Sequence, residues 1–281
     1  MSETVTVNEP VVLTAMERVR LARDPGRPGT LDYIAGLMTG FVELHGDRVF
    51  GDDQALLGGI ATFRGRTVLV LGHQGGTNTR ENIARNFGMP RPEGYRKARR
   101  LMQHAGKFGM PIIAFVDTSG ADPGIGSEER GQGTAIAESL LEMIGVEVPI
   151  VVTVIGEGGS GGALAISLGD RILMLENAVY AVASPEACAA ILWKDAARAA
   201  DAAATMRITA ADLERFRMID ELIPEPVPAH LAPQETIQRV GDRIAAHLDD
   251  LTTTFTPGDH AQIERLLDTR HEKFRKIGAW I

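Results

Sequence analysis

The run Val148-Pro149-Ile150-Val151-Val152-Thr153-Val154-Ile155 leads directly into Gly156-Glu157-Gly158-Gly159-Ser160-Gly161-Gly162-Ala163-Leu164-Ala165. β-Branched residues dominate the first part, and five glycines fall within the seven residues that follow it. The pattern predicts a buried strand over 150–155, a bare glycine loop, and a small-residue helix running to Leu168. The first N–H groups of a helix have no intrahelical partner, and its dipole favours negative charge. Such a turn can cradle a phosphate, or it can stabilise an oxyanion that exists only during a reaction.

The elements around this run alternate between strand and helix. Residues 1–8 are polar and read as frayed, and Val11–Ala22 reads as a short helix stopped by Asp24-Pro25-Gly26. Thr30 is expected to cap a second helix, Leu31 to about Leu44. Strands are expected at Ala55–Phe63 and Thr67–Gly72, then a polar loop opening with Gly75, Gly76, Thr77 and Asn78. A helix over Glu93–Phe108, a strand over Ile112–Asp117, a glycine-rich loop from Ser119 to Gly126 and a helix over Glu128–Ile144 precede the opening run. Beyond it come strands Arg171–Leu175 and Ala178–Val182, helices at about 185–203 and 209–217, and a short apolar element, Ile219–Ile223. Gln234–Leu251 and His260–Lys276 read as charged helices. Alternation of this kind implies α/β layers joined by right-handed crossovers, so the glycine loops near 117 and 156 should lie on one side of the sheet. No linker divides large blocks, which favours one domain with helical extensions at both ends.

Composition narrows the function classes. The 281 residues are 44% hydrophobic and 23% charged, ordinary for a soluble globular protein with a sizeable core. A net charge of −8 argues against general nucleic-acid binding. Cys188 is the only cysteine, which rules out an internal disulfide or thiolate metal cluster and fits a reducing, cytoplasmic setting. It lies among small residues and is expected to be buried rather than reactive. The N-terminus lacks a secretory pattern, and no apolar run reaches the ~18 residues of a membrane helix.

Spacing alone leaves several readings of the glycines open. Gly156-x-Gly158-x-x-Gly161 satisfies the dinucleotide fingerprint, with Glu176 at the end of the next strand, but the helix before Gly169 is short for that role. A phosphate-binding P-loop is excluded, because no Gly-Lys-Ser or Gly-Lys-Thr follows. The glycines could serve only tight packing. Alternatively, Gly161, Gly162 and Ala163 could present N–H groups as an oxyanion hole, with Asp117–Gly126 as the opposite wall. Asp117 reads as a cap for loop backbone, and His73, at a strand end, as a hydrogen-bonding residue or a donor to substrate. Arg91, Arg96, Lys97, Arg99 and Arg100 form a basic cluster, either a solvated helix face or a contact for phosphates or a carrier protein. The Glu128-Glu129-Arg130 triplet is expected to open a helix, and Trp193 to pack.

Several motifs carry a resemblance. Arg85-Asn86-Phe87-Gly88-Met89-Pro90, Pro92-Glu93-Gly94-Tyr95-Arg96-Lys97, Glu128-Glu129-Arg130-Gly131-Gln132, the Gly156–Ala165 run, Ser184-Pro185-Glu186, Ile191-Leu192-Trp193-Lys194 and Ile219–Pro226 together resemble the α subunit of bacterial acetyl-CoA carboxylase carboxyltransferase. The resemblance spans roughly residues 18–226 and is nearly collinear. It implies a crotonase-like (ClpP/crotonase) fold of repeated ββα units: an N-terminal segment over 1–30, a carboxyltransferase domain over 31–226 and a C-terminal helical extension over 227–281.

The implied reaction moves a carboxyl group from carboxybiotin, on a biotin carboxyl carrier protein, to acetyl-CoA or a related acyl thioester, giving malonyl-CoA. The implied assembly has two α and two β subunits, the β subunit bearing a zinc ribbon. This chain has no Cys-x-x-Cys and no expected metal. Carried over by motif, Gly161, Gly162 and Ala163 would face the biotin ureido oxygen. Gly120, Ala121, Asp122, His73, Gly75, Gly76, Arg96 and Arg100 would bind substrate or shape the adjoining wall. Where the family has Gly-His-Gln-Lys-Gly, this chain has Gly72-His73-Gln74-Gly75-Gly76. It also has Ser119 for a proline and Asp122 for a tyrosine, and it lacks most of a long helical N-terminus. A standalone crotonase-like decarboxylase or hydrolase, and a non-catalytic assembly subunit, are the alternatives.

Overall fold

The computed structural model describes residues 13–278. The expectation for residues 1–8, and the start of the first helix at Val11, lie outside the described residues. Helix α1 (Ala15–Ala22) opens with a capping box in which Thr14 and Glu17 satisfy each other's backbone N–H groups. α2 (Thr30–Leu37) follows, then β1 (Met38–Glu43), β2 (Leu56–Phe63), β3 (Arg66–His73), α3 (Thr79–Ala84) and α4 (Pro92–Phe108). The middle of the chain forms β4 (Ile112–Thr118), α5 (Ile125–Glu129), α6 (Gln132–Gly145), β5 (Ile150–Gly159) and α7 (Ser160–Leu164). β6 (Arg171–Leu175), β7 (Val179–Ala181), α8 (Pro185–Trp193), α9 (Ala199–Met206), α10 (Ala210–Arg215) and β8 (Glu221–Ile223) lead to α11 (Pro233–Thr253) and α12 (His260–Arg275). Among the described residues, no helix is long and apolar enough to cross a membrane.

The strands make one sheet in the order β1-β2-β3-β4-β5-β6-β8, with β7 paired to the outer half of β5. β1, β2 and β3 run antiparallel, and β3, β4, β5, β6 and β8 run parallel. β4 and β5 are neighbours in register from Ile112↔Ile150 to Val116↔Val154, so their C-terminal ends emerge side by side, as the sequence implies. Both strands are buried along almost their whole length, which explains apolar runs without alternation.

Five expectations need correction. Gly29, not Thr30, is the N-cap of α2, and Thr30 turns its hydroxyl inward onto the His73 carbonyl at 2.5 Å. α2 ends at Leu37 rather than Leu44 because Met38 turns extended and pairs with Phe63. The helix expected over 128–144 is two helices, broken where Gly131 takes φ +80°. Glu128 and Glu129 therefore end α5 instead of opening a helix. The helix expected over 185–203 likewise breaks at Lys194, which takes φ +56°. Cys188 is half-buried; Trp193 stacks beneath the Arg198 guanidinium, 4.2 Å from the ring centre.

One buried ion pair ties the C-terminal extension to the sheet. The Arg270 side chain is fully buried and donates to both Asp170 carboxylate oxygens (2.8 and 2.9 Å) and to the carbonyls of Met143, Val146 and Val148. Asp170 in turn accepts the Ile150 N–H at 2.7 Å, at the first residue of β5. Removing one partner of such a pair leaves a buried charge uncompensated. Arg270→Leu should therefore lower the unfolding free energy by about 3–5 kcal/mol in urea titrations; a loss under about 1 kcal/mol would mean that water or another cation compensates Asp170.

Candidate active site

The glycine segment is not a loop. β5 continues through Gly159, with Gly158 beside Thr118 and Tyr180 and Gly159 beside Ala181. Side chains are excluded here by close neighbours. A Cβ on Gly156 would lie 2.2 Å from an Asp117 carboxylate oxygen, and one on Gly159 would lie 2.2 Å from the Ser119 carbonyl oxygen. At Ser160 the backbone flips to φ +54°, a conformation rare outside glycine, and the chain turns into α7. α7 has only five residues and stops at Leu164, short of the expected Leu168.

The loop after β4 crosses this turn backbone to backbone. A Cβ on Gly162 would meet the Ala121 nitrogen at 2.4 Å, the Gly120 carbonyl carbon at 2.6 Å and the Tyr95 hydroxyl at 3.0 Å. Gly120 and Ala121 are thus brought against Gly162. The Ala121 N–H has no acceptor among the described residues, and the N–H groups of Gly161 and Gly162 lie in the first turn of α7, where the helix offers them none; the Ala163 N–H is already turned onto the N-cap carbonyl of Gly159 in the helix's own ladder, so Ala163 does not serve as a free donor. The Gly120 N–H is already taken by the Thr118 hydroxyl at 3.1 Å.

Two recesses flank the turn. A polar cleft of about 310 Å³ has Arg23, Arg27, Gly75, Gly76, Asp117 and Glu157 among its walls. An apolar groove of about 260 Å³ runs past Gly161, Leu164, Tyr180, Val182 and Phe274. Larger hollows beside α12, of about 590 and 1000 Å³, touch none of the glycine-turn residues, so size does not mark the site.

Other predicted residues are placed less directly. His73 is fully buried; its Nε2 lies 3.2 Å from the Gly162 carbonyl and its Nδ1 accepts the Asp117 N–H at 3.4 Å. Burial pulls the imidazole down to about 4, against the opposing pull of the Gly162 carbonyl. Gly76 is packed against the start of α3, where a Cβ would lie 2.3 Å from the Asn82 nitrogen. Asp122 accepts from the Ser127 hydroxyl at 2.5 Å and faces Arg91 at 4.0 Å. Burial acts to raise its carboxyl, but hydrogen bonds from Ser127 and Asn86 hold it below the ordinary range.

The basic cluster on α4 is divided among protein partners. Arg96 pairs with Asp47 and Glu93, and fully buried Lys97 with Asp52. Arg99 pairs with Glu138, and Arg100 donates to the His45 and Gly46 carbonyls. Neither Arg96 nor Arg100 lines the recesses beside the glycine turn.

Sequence reasoning passed over the arginines of the N-terminal segment. Arg23 grips Glu157 and Glu186, and buried Arg27 grips Glu225 and the Ile155 carbonyl. Their partners lie 128 to 198 residues away, a distance at which a single sequence carries no signal. Asp117 does cap backbone, as read, but through the Glu157 N–H of β5 at 2.9 Å.

With the geometry in view, the relatives are informative. A family model described as acetyl co-enzyme A carboxylase carboxyltransferase-like matches residues 3–278. The acetyl-coenzyme A carboxylase carboxyl transferase subunit alpha of Picosynechococcus sp. is 54% identical over 270 residues, covering 96% of this chain and 81% of the relative. The subunit of the same description from Anoxybacillus flavithermus is 55% identical over 270 residues, with 96% and 81% covered. Among solved structures, transcarboxylase 12S with hydrolysed methylmalonyl-coenzyme A bound aligns at TM-score 0.67 and 20% identity, over 88% of this chain and 46% of that one. A Pseudomonas malonate decarboxylase hetero-tetramer in complex with coenzyme A aligns at TM-score 0.61 and 18% identity, over 80% and 90%. The likeness to these structures is one of fold, the crotonase-like fold expected from the motifs.

The carboxyl of Asp117 gives the site a measurable pH signature. Burial pushes it from an ordinary 3.8 up to about 6, with the Glu157 N–H and Arg27 drawing it back. Between those values the folded chain holds a proton that the unfolded chain has released, so Asp117 withdraws stability as pH rises through the window. His73, lowered from 6.5 to about 4, acts in the opposite sense, but it drops out when two chains that both carry it are compared. The unfolding free energy of Asp117→Asn relative to the parent chain should climb between about pH 4 and 6 and level off above, in urea titrations at stepped pH. A flat or falling difference would place the carboxyl in an ordinary environment.

Proposed function

The chain belongs to the family of α subunits of acetyl-CoA carboxylase carboxyltransferase, and on that footing we propose that it supplies half of a split carboxyl-transfer site. The other half belongs to a zinc-ribbon β subunit, in a cytoplasmic assembly of two α and two β chains. Residues 31–226 form the working domain, with 1–30 and 227–281 as extensions. Carboxybiotin on a carrier protein supplies the carboxyl group, and acetyl-CoA or a related acyl thioester accepts it.

The observation that carries this reading is the pair of first-turn N–H groups at Gly161 and Gly162, to which the helix offers no acceptor, beside the N–H of Ala121. Glycine and alanine leave room for an oxygen to approach this backbone closely. Negative charge that develops on the biotin ureido oxygen is matched by donors already held in place. The chain's contribution is thus electrostatic. Buried His73 remains neutral at working pH and faces a carbonyl, so it does not collect a substrate proton. Gly120, Ala121, Gly75 and Gly76 shape the walls, and Asp122, held by Ser127 and Arg91, keeps its negative charge compensated.

Malonyl-CoA:biocytin carboxyl transfer, measured on the chain alone and with its β partner, tests the split site. Transfer only in the presence of both chains is the expected result; carbon dioxide release from malonyl-CoA by the chain alone would replace this reading with a standalone decarboxylase. Within the complex, Gly162→Ala would push the Ala121 backbone out of place, because its Cβ would lie 2.4 Å from that nitrogen. The expected cost is about 10²–10³-fold in kcat, the usual effect of losing one oxyanion donor.

A further inference from the structure

Exposed apolar side chains are ordinary when they stand singly, but two stand side by side on a loop that cannot fold them away. Val49 and Phe50 are 76% and 69% exposed, at the tip of the segment between β1 and β2. The buried carboxylate of Asp47 holds that tip from below. Its Oδ1 accepts the N–H groups of Val49, Phe50 and Gly51 at 2.8–2.9 Å, and its Oδ2 accepts from Arg96 at 2.7 Å. The Asp47 N–H closes the loop onto the Gly51 carbonyl at 2.8 Å, and Arg48 is held at φ +67°, rare outside glycine. Arg130 lies over the Phe50 ring, 4.6 Å from its centre, and is itself gripped by buried Glu93.

This rigid tip stands at the edge of the sheet that carries the glycine turn. β2 runs antiparallel to β3 with Leu56 beside His73, so the segment before β2 departs from the edge where β3, β4 and β5 end. α5, in the segment that leaves β4 at this edge, begins with Ile125, 79% exposed, and is capped by Arg130. Arg96 ties tip and helix together, donating to Asp47 and to the Arg130 carbonyl at 3.0 Å. Two cations beside the tip have no acidic partner among the described residues. Arg48 donates to the His45 carbonyl, and Arg100 to the carbonyls of His45 and Gly46. Burial and the neighbouring Arg48 charge both work against the Arg100 guanidinium, and an acid arriving from outside would relieve it.

We infer that the Val49–Phe50 tip is the anchor by which this chain receives the β partner at the open edge of the site, Phe50 entering an apolar recess of that partner and Arg48 meeting a carboxylate on its rim. This rests on the reading of the chain as half of a split site. A half site must be covered from the edge where its glycine turn opens, and the tip, α5 and the turn share that edge. Holding an aromatic side chain in place before contact cuts the ordering cost of association. Aromatic and arginine side chains also carry a large share of the binding energy at protein interfaces. A twofold contact centred on the tip would instead bring Arg48 against its own copy, like charge against like.

The test compares Phe50→Ala, Arg48→Glu and Phe108→Ala with the parent chain. Binding of the purified β partner is measured by sedimentation velocity titration, and malonyl-CoA:biocytin transfer over a range of β concentrations. Phe108 is 64% exposed at the end of α4, on the opposite edge, and serves as the control. Phe50→Ala should weaken β binding by about 30-fold or more, the loss expected of an aromatic hot spot. Arg48→Glu should weaken it more at low salt than at high salt. Phe50→Ala should regain the parent kcat once β is saturating, and its urea unfolding midpoint should stay that of the parent, because the ring is exposed. A Phe50→Ala affinity equal to that of Phe108→Ala overturns the inference. Weakened self-association with β binding intact also overturns it, giving the tip to a second copy. So does a raised KM for biotin on its carrier with β affinity unchanged, which gives the tip to the carrier protein. A parent chain that binds no β partner overturns the split-site reading together with the anchor; a parent that binds, with variants that bind equally well, overturns the anchor alone.

Discussion

Two backbone segments meet at near-contact distance, and that approach sets most of what surrounds them. Residues 118–121 lie across residues 159–162 with so little space that a Cβ at Gly159 or Gly162 would sit 2.2–2.4 Å from backbone atoms. Parallel pairing of β4 and β5 delivers both segments to the same edge of the sheet. The glycines do not confer flexibility here. They permit a rigid close approach, and the left-handed turn at Ser160 then opens α7 directly beside the loop after β4. A helix of ordinary length in this place would cover more of its carbonyls with its own ladder; five residues leave the Gly162 carbonyl for His73.

Charge around the turn is balanced group by group. Glu157 is met by Arg23, Asp122 by Arg91 and Ser127, and Glu225 by Arg27, while burial holds Asp117 partly protonated near pH 6. Uncompensated carboxylates beside the N–H groups would oppose the formation of a negative oxygen there, since like charges at close range disfavour each other. The arginine pairs therefore matter more for the field and geometry of the site than for stability. Buried ion pairs seldom repay the full cost of desolvating both partners, although breaking one is expensive.

The same balance explains why a cationic helix face is absent from α4. Arg96, Lys97, Arg99 and Arg100 look free along the sequence, yet each is taken up by a carboxylate or carbonyl from elsewhere in the chain. Fully buried Lys97 is the strongest case, because an ammonium there requires Asp52 and the Asp53 carbonyl to compensate lost water.

Local pattern determined a good part of this protein. Continuous apolar runs marked β3, β4 and β5 within a residue or two at their starts, because a strand buried on both faces admits almost nothing else. The glycine spacing identified the turn, and the motifs around it identified the family. Other features depended on tertiary context. β1 was hidden within an apparent helix, since pairing with β2 overrode local propensity. The extent of β5 was hidden because its glycines are held in the sheet by neighbours distant in sequence, Asp117, Ser119 and Tyr180. Whether His73 faced substrate or backbone, and whether the arginines were free, could be decided only by folding. Hydrogen-bond partners are chosen by proximity in space, and those of His73, Arg23 and Arg27 lie far along the chain.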